Sequence, residues 1–214
     1  MNLGERICEA TERLASRRPR VLVAIDGPDA AGKTTLADDL VQHLEVPWLR
    51  SSIDGFHQPQ AIRAMRGALS PVGYFHDSFN YDALTAKLLT PFRTGEPRVC
   101  TGVFDWRADT PVEEVFVPVP ERAILVFDGV FLLRAELRDL WDLSVYLRVR
   151  SSVVLDRALN RDVGVLGSRD EVRGRYEARY VAGQALYQAE CEPERHADVL
   201  VDNSDFSDPV VIRW

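Results

Sequence analysis

The sequence predicts an α/β fold, in which a mostly parallel sheet carries helices on both faces. Two short apolar runs rich in β-branched residues, at positions 21–25 and 124–127, are typical of strands buried inside a parallel sheet. Stretches with apolar residues at helical spacing follow them along the chain. Because buried strands alternate with helices, the pattern indicates an open sheet whose ligands bind at the carboxyl ends of the strands.

Apolar spacing also places the individual elements. Leu36, Leu40 and Leu44 recur four residues apart, which predicts a helix over residues 33–44 directly after the first strand. The pattern of residues 62–70 is ambiguous, and Pro71 ends the segment. The other predicted strands are 48–53, 99–104, 143–149 and 199–201, and the other predicted helices are 81–89 (ended by Pro91), 151–160 (capped by Ser151 or Ser152) and a long helix with one face formed by Val172, Tyr176, Tyr180, Gly183 and Tyr187.

Length and composition bound the class of protein. The 214 residues, 46% of them hydrophobic, suit a single domain over 1–214, and an amphipathic lead-in helix is predicted within residues 1–20. The net charge of −7 argues against sequence-independent binding to nucleic acid, which requires a basic face. The sequence contains no apolar run long enough to cross a membrane and no secretory signal, and its three cysteines are widely separated. We therefore expect a cytoplasmic protein.

Residues 27–35 read Gly-Pro-Asp-Ala-Ala-Gly-Lys-Thr-Thr and match the phosphate-binding P-loop pattern G-x-x-x-x-G-K-[ST]. They lie between a predicted strand and a predicted helix, which is the required context and argues against a glycine-rich turn without a ligand. Lys33 would reach the β- and γ-phosphates of ATP, and the Thr34 hydroxyl would coordinate Mg²⁺. The predicted nucleotide-binding residues are Gly27, Pro28, Asp29, Ala30, Ala31, Gly32, Lys33, Thr34 and Thr35.

Asp26, Asp54 and Asp128 each stand at the end of a predicted strand, at the edge where ligands bind. In P-loop proteins an acid at the position of Asp128 holds Mg²⁺, and the alternative is an acid that only caps the strand. Asp54 would lie across the cleft from the P-loop, where it could accept the proton of an attacking hydroxyl. A turn aspartate before Gly55 is an equally weighted alternative for Asp54.

Three stretches together resemble the uridine kinase and phosphoribulokinase family of P-loop kinases. They are the P-loop, the Asp-Gly-Phe-His-x-Pro sequence that begins at Asp54, and the Phe-Asp-Gly-Val sequence around Asp128. The resemblance extends from about Val21 to Asn203. It implies a P-loop NTPase-type three-layer sandwich with a helical lid at about residues 157–178. It also implies transfer of the γ-phosphoryl group of ATP to a hydroxyl, with uridine or cytidine as the first candidates.

The resemblance implies roles for individual residues. Asp54 matches the acid that orients or deprotonates the accepting hydroxyl, whereas Lys33, Thr34 and Asp128 match the phosphate and magnesium groups. The arginines that match the lid, and that would neutralise charge on the transferred phosphoryl group, are Arg157 and Arg161. The residues implied to contact the base or sugar are Phe56, Phe104 and Gln184, with His57 as a further candidate that could equally be a solvated turn residue.

One departure from the family pattern concerns the acceptor. Uridine kinases read the pyrimidine with an aromatic residue and a histidine, but residues 104–110 contain no histidine, and Asp109 lies near its place. Pantothenate and a sugar phosphate therefore stay open as acceptors. A nucleotide-dependent switch is the alternative from another class, although the chain has no Asn-Lys-x-Asp guanine motif. We expect a small-molecule partner, no nucleic acid or membrane partner, and leave self-association open.

Overall fold

The computed structural model describes residues 2–164 and 167–214. Within these residues the strands, in chain order, are β1 (Arg20–Asp26), β2 (Trp48–Ser52), β3 (Arg98–Cys100), β4 (Phe104–Asp105), β5 (Thr110–Pro111), β6 (Phe116–Pro118), β7 (Ala123–Gly129), β8 (Leu143–Arg148), β9 (Val199–Asp202) and β10 (Val210–Arg213). Six of them form one sheet in the order β10-β9-β8-β1-β7-β2. All neighbours in this sheet are parallel except β9 and β10, so the predicted mostly parallel sheet is confirmed.

The described helices are α1 (Leu3–Ala15), α2 (Lys33–His43), α3 (Gln60–Arg63), α4 (Pro71–Asp77), α5 (Tyr81–Leu84), α6 (Thr90–Thr94), α7 (Ser151–Asp162), α8 (Arg169–Arg175), α9 (Ala182–Cys191) and α10 (Pro193–His196). One π-helical segment, Thr85–Leu89, joins α5 to α6, and another, Tyr176–Val181, joins α8 to α9. Within the described residues no helix is long and apolar enough to cross a membrane.

The central strand β1 is buried on both faces, as its continuous apolar run predicted. Leu22 and Ala24 belong to one hydrophobic cluster, whereas Val21, Val23 and Ile25 belong to a second cluster on the other face of the sheet. Residues of α4 and α5 contribute to the first cluster, and residues of α1 and α2 contribute to the second. The sheet is therefore the middle layer of a three-layer sandwich, as predicted.

Three local predictions were wrong. The helix at 81–89 does not end before Pro91 but continues to Thr94, because the π-helical segment over Thr85–Leu89 leads directly into α6. Neither Ser151 nor Ser152 caps α7, since Arg150 is the N-cap residue and provides no side-chain hydrogen bond. The strand predicted at 99–104 is split into β3, which ends at Cys100, and β4, which begins at Phe104, and Gly102 between them packs on the backbone of Gly55.

The segment predicted to form a lid, at about residues 157–178, contains the end of α7, all of α8 and part of the second π segment. Ser168 caps α8 and forms a reciprocal capping box with Glu171. Residues 165 and 166, inside this segment, lie outside the described residues. Movement of this lid stays a prediction.

The carboxylate of Asp26, the last residue of β1, is completely buried and accepts hydrogen bonds from three directions. Gly27 N donates to Oδ1 at 2.7 Å, and Leu132 N and Leu133 N donate to Oδ2 at 3.0 and 3.1 Å. The hydroxyl of Tyr187 on α9 also donates to Oδ2. Asp26 is thus a structural acid that joins the P-loop, the turn after β7 and α9, although its place at a strand end predicted a ligand-side residue.

Burial raises the pKa of Asp26 to about 6, although the hydrogen bonds from Tyr187, Gly27 and Leu133 and the charge of Lys33 act in the opposite direction. Because this lies above the ordinary carboxyl pKa of about 3.9, the contribution of Asp26 to stability is fully present below pH 4 and is lost as the pH rises through 6. Asp26→Asn does not titrate. The difference in unfolding free energy between wild type and Asp26→Asn should therefore shrink by up to about 3 kcal/mol between pH 4 and pH 6.5 in urea titrations.

The matched control is Asp82→Asn, because Asp82 is exposed on α5. It should leave the pH dependence of unfolding unchanged. If the difference in unfolding free energy between wild type and Asp26→Asn stayed constant from pH 4 to 6.5, the raised pKa of Asp26 would be contradicted.

Candidate active site

The P-loop connects β1 to α2 and depends on two glycines with positive φ. Gly27 has φ +152° and Gly32 has φ +91°. A Cβ on Gly27 would lie 2.7 Å from the carbonyl oxygen of Leu147, and one on Gly32 would lie 2.5 Å from the ring of Phe206. Both positions therefore require glycine for space as well as for backbone conformation.

The N-terminus of α2 opens into this loop. Its N-cap residue, Gly32, provides no side-chain hydrogen bond, so the first N–H groups of the helix can donate to an anion. Lys33 Nζ donates to the carbonyl oxygen of Pro28 at 2.7 Å, which folds the side chain back over the loop. The predicted phosphate-binding lysine thus lies where a bound phosphate chain would pass.

The two side chains predicted to coordinate Mg²⁺, Thr34 and Asp128, are in contact. Thr34 Oγ1 donates to Asp128 Oδ2 at 2.7 Å, and Asp128 is 3% exposed. Mg²⁺ prefers such hydroxyl and carboxylate oxygens and completes its shell with phosphate oxygens and water. Within residues 2–164 and 167–214, no cluster of three or more histidine, cysteine, aspartate or glutamate side chains offers an all-protein metal site. The donor set therefore fits a magnesium ion bound together with a nucleotide.

Arg50 on β2 completes the surroundings of Asp128. Its Nη1 donates to Asp128 Oδ1 at 2.8 Å, while its Nε and Nη2 donate to Asp38 on α2 at 3.1 and 3.0 Å. Arg50 therefore holds Oδ1 of Asp128, the predicted metal ligand, whereas Oδ2 of the same carboxylate contacts Thr34. Sequence reasoning missed Arg50, because its role follows from the pairing of β2 with β7.

Asp54 lies just past β2, in a 3₁₀ turn over Ile53–Phe56. Asp54 is exposed, but partial loss of water around its carboxyl raises the pKa, and the nearby carboxylates of Asp128 and Asp29 raise it further. The positive charge of Lys33 acts in the opposite direction. Asp54 is therefore within electrostatic range of both the phosphate-binding lysine and the predicted metal ligand.

His57 lies beside Asp54, with its Nδ1 3.0 Å from the backbone oxygen of Asp54. The ring packs at centroid distances of 4.6 Å on Phe79 and 5.8 Å on Trp106. Burial lowers the pKa of His57 below its ordinary value, against the effect of Asp54. At neutral pH the imidazole is thus mainly neutral, at the edge of the cleft rather than in free solvent.

Arg157 reaches the P-loop from α7. Its guanidinium donates to Asn203 O at 2.9 Å and to Ser204 O at 3.0 Å, and it lies 3.3 Å above the ring of Phe206. These side chains and the P-loop line a cavity of about 480 Å³. A planar base stacked on Phe206 would complete a nucleotide site here. Sequence reasoning missed Phe206, which no motif marks.

Arg161 also lines this cavity. Its Nε and Nη2 donate to Asp162 at 2.6 and 3.0 Å, and its Nη2 also contacts the Tyr176 hydroxyl at 3.0 Å. The hydrogen bonds to Asp162 raise the pKa of Arg161, so the guanidinium stays charged. Both predicted lid arginines therefore lie at the P-loop, although Arg161 is engaged with its neighbour.

Three residues predicted to contact the acceptor are buried. Phe56 is fully buried in the core, with its ring centroid 6.4 Å from that of Phe127, so the structure assigns it to packing. Phe104 is 7% exposed in β4. Gln184 is 9% exposed and its amide atoms have no hydrogen-bond partner. It lines a cavity of about 830 Å³ that also borders Pro28 and Asp29 of the P-loop, so its contact with the acceptor stays a prediction.

The sequence and the fold of this chain are similar to those of known proteins. The model of the phosphoribulokinase / uridine kinase family matches residues 22–188, which is most of the chain. The chain belongs to this family. Its members are kinases that transfer a phosphoryl group to a hydroxyl group.

Individual relatives are distant. The chain is 30% identical over 171 residues to the uridine kinase of Schizosaccharomyces pombe, a match that covers 74% of this chain and 37% of that protein. It is 25% identical over 189 residues to the uridine kinase of Shewanella frigidimarina, with 85% and 86% covered. The chain thus spans about a third of one relative and most of the other.

A solved structure from Silicibacter sp. TM1040, which carries the provisional name of a fructose transport system kinase, matches with a TM-score of 0.73. The two sequences are 26% identical, and the match covers 89% of this chain and 96% of the other. The fold is therefore common to kinases whose names indicate different acceptors.

The contact between Thr34 and Asp128 predicts a metal-dependent effect. Thr34→Val keeps the shape of the side chain but removes the hydroxyl. Calorimetric titration with ADP should show affinity about tenfold or more weaker in the presence of Mg²⁺, and unchanged affinity in EDTA. Thr90→Val, on the exposed start of α6, is the control. An equal loss of affinity with and without Mg²⁺ would contradict the metal role of Thr34.

Proposed function

We propose that this protein is an ATP- and Mg²⁺-dependent kinase whose Asp54 activates a hydroxyl of a small-molecule acceptor. One observation carries the proposal: Asp54 closely follows Ser52, which pairs with the predicted metal ligand Asp128 between β2 and β7, and its carboxyl lies within electrostatic range of Lys33 of the P-loop. A hydroxyl bound at Asp54 would therefore lie next to the γ-phosphate of a nucleotide held by the P-loop. A nucleotide-dependent switch needs no acid at this point.

The proposed reaction is in-line attack of the acceptor hydroxyl on the γ-phosphorus, with ADP as the leaving group. Asp54 accepts the hydroxyl proton, and its raised pKa makes it a better proton acceptor than an ordinary exposed carboxylate. Lys33 exchanges its contact with Pro28 for the phosphate oxygens. A bound magnesium ion would neutralise charge on the phosphates, held by Thr34 and Asp128.

The lid arginines supply the remaining charge in this proposal. Arg157 and Arg161 project from α7 into the P-loop cavity, where a guanidinium can bind phosphate oxygens in a forked geometry. Arg161 would have to leave Asp162 to do so. Closure of the segment at about 157–178 would then exclude water from the reacting groups.

Uridine or cytidine is the first candidate for the acceptor, because two relatives, 30% and 25% identical to this chain, are named uridine kinases. A sugar phosphate or pantothenate is the second candidate. This second class of acceptor is favoured by the residue at position 109. Uridine kinases are expected to carry a histidine near this place, whereas this chain carries Asp109, which is ion-paired with Arg63. The structural neighbour named for fructose supports the sugar class.

The role of Asp54 predicts the outcome of one substitution. Asp54→Asn should lower turnover by about 100- to 10,000-fold, because the amide cannot accept the hydroxyl proton. Turnover is measured as ADP released from Mg·ATP in the presence of uridine, cytidine, pantothenate or ribulose 5-phosphate. Affinity for Mg·ADP should stay within about twofold of wild type, since Asp54 makes no hydrogen bond to the P-loop through its side chain.

Asp156→Asn provides the matched control, because Asp156 is exposed on α7. It should retain wild-type turnover. Equal turnover by Asp54→Asn and wild type, or steady ATP hydrolysis that no acceptor stimulates, would refute the proposed kinase and favour a switch.

A further inference from the structure

The P-loop carries a carboxylate next to the place where the γ-phosphate is proposed to bind. Asp29 is the third residue of the loop and is half-buried. Lys33, which is predicted to bind the β- and γ-phosphates, donates from Nζ to the carbonyl oxygen of Pro28, the residue before Asp29, at 2.7 Å. Asp29 therefore lies at the γ-phosphate end of the loop. A carboxylate at this point repels the phosphate chain that the loop is proposed to bind.

One oxygen of the Asp29 carboxylate is held by a buried tyrosine. The hydroxyl of Tyr74 on α4 donates to Oδ2 at 2.6 Å, and Tyr74 is 5% exposed. This hydrogen bond orients the carboxylate but leaves its negative charge uncompensated, because the hydroxyl is uncharged. Among the hydrogen bonds and ion pairs within residues 2–164 and 167–214, only the one from Tyr74 reaches this carboxylate. Its Oδ1 is therefore left to accept a hydrogen bond from a ligand.

Asp29 also borders open space. Together with Pro28, Tyr180 and Gln184 it lines the cavity of about 830 Å³. The ring of Tyr180 packs against that of Tyr74 at a centroid distance of 4.9 Å, which places the tyrosine that holds Asp29 at the wall of the same cavity. A cavity of this volume is large enough to bind a small molecule. A bound molecule can therefore reach Asp29.

The charge of Asp29 also acts on the residues proposed to bind the reacting hydroxyl. Partial loss of water raises the pKa of Asp54, and the charge of Asp29 adds to this rise. Burial lowers the pKa of His57, which lies beside Asp54, and the charge of Asp29 opposes that effect. The P-loop acid and the proposed catalytic acid therefore lie within electrostatic range of each other.

The contact with Tyr74 does not explain why this residue is an acid. An amide oxygen would accept the same hydrogen bond from the Tyr74 hydroxyl without repelling a nucleotide. The negative charge is useful only if a group that donates a hydrogen bond approaches the carboxylate, since such bonds to a charged acceptor are strong. The acceptor molecule is the ligand of the proposed reaction that brings such donors.

We propose that Asp29 is a specificity-determining residue, whose Oδ1 accepts a hydrogen bond from a second hydroxyl of the acceptor while Asp54 receives the reacting hydroxyl. This inference rests on the proposed function, because it concerns how the acceptor is oriented. Two carboxylates on separate elements, the P-loop and the turn after β2, would fix the reacting hydroxyl in one orientation toward the γ-phosphorus. Uridine, pantothenate and ribulose 5-phosphate each carry a second hydroxyl, so the proposal distinguishes each of them from its deoxy analogue.

The first test measures nucleotide binding without turnover. Calorimetric titrations compare Mg·ADP with the Mg²⁺ complex of the β,γ-imido analogue of ATP, which retains a γ-phosphate. Asp29→Asn keeps an oxygen for the Tyr74 hydroxyl but removes the charge. It should therefore tighten binding of the imido analogue by about threefold or more and change the affinity for Mg·ADP by less than about twofold.

Two further variants serve as comparisons in this titration. Tyr74→Phe removes the hydroxyl but keeps the charge of Asp29, so it should leave the ratio of the two affinities unchanged. Asp139→Asn is the control for loss of an acid, because the side chain of Asp139 is 91% exposed, and it should behave as wild type does. If Asp29→Asn affects both nucleotides alike or neither of them, or if Tyr74→Phe reproduces its effect, Asp29 is only an anchor for Tyr74 and the proposal is overturned.

The second test combines a change in the protein with a change in the acceptor. Turnover with uridine is compared with turnover of 2′-deoxyuridine and 3′-deoxyuridine, and any other acceptor that is used is compared with its analogue lacking the second hydroxyl. In wild type, removal of the contacted hydroxyl should lower kcat/KM about tenfold or more, because Asp29 is left without its partner. In Asp29→Asn the same removal should lower kcat/KM by less than about threefold.

The outcomes separate this inference from the proposed function. If wild type transfers the phosphoryl group and loss of the second hydroxyl costs wild type and Asp29→Asn equally, the role of Asp29 is overturned and the kinase stands. If wild type transfers the phosphoryl group to no acceptor, the proposed function is contradicted, and this inference with it.

Discussion

The buried carboxylate of Asp26 sets the position of the P-loop relative to the rest of the fold. It accepts hydrogen bonds from Gly27 at the start of the loop, from Leu132 and Leu133 after β7, and from Tyr187 on α9. The helix α9 continues the segment that contains the predicted lid. One side chain therefore ties the phosphate-binding loop to the strand that carries Asp128 and to the helix that follows the lid.

The site is built so that its charges have partners within the protein before any phosphate enters. Lys33 donates to Pro28, Asp128 lies between Thr34 and Arg50, and Arg161 pairs with Asp162. In the proposed mechanism, binding of a nucleotide with Mg²⁺ would exchange these contacts for contacts to phosphate oxygens and to the metal.

Sequence reasoning predicted the features that local chemistry determines. The strand–P-loop–helix unit and the acid at the end of β7 follow from motifs, and the parallel sheet follows from apolar runs; these agree with the structure. Asp54 lies within electrostatic range of Lys33 and Asp128, and its role stays a prediction. Phe56 is packed in the core, because a family position does not state which face of an element a side chain occupies. Arg50 and Phe206 could not be found, since their contacts join elements far apart in sequence.

The central claim is that the γ-phosphoryl group reaches an acceptor hydroxyl at Asp54. Incubation of the protein with Mg·ATP labelled with ³²P at the γ-position, together with each candidate acceptor, tests it most directly. The account predicts label in a new phosphate ester, in equal amount to the ADP formed. Label found only in inorganic phosphate, whichever acceptor is present, would show hydrolysis rather than transfer and would contradict the account.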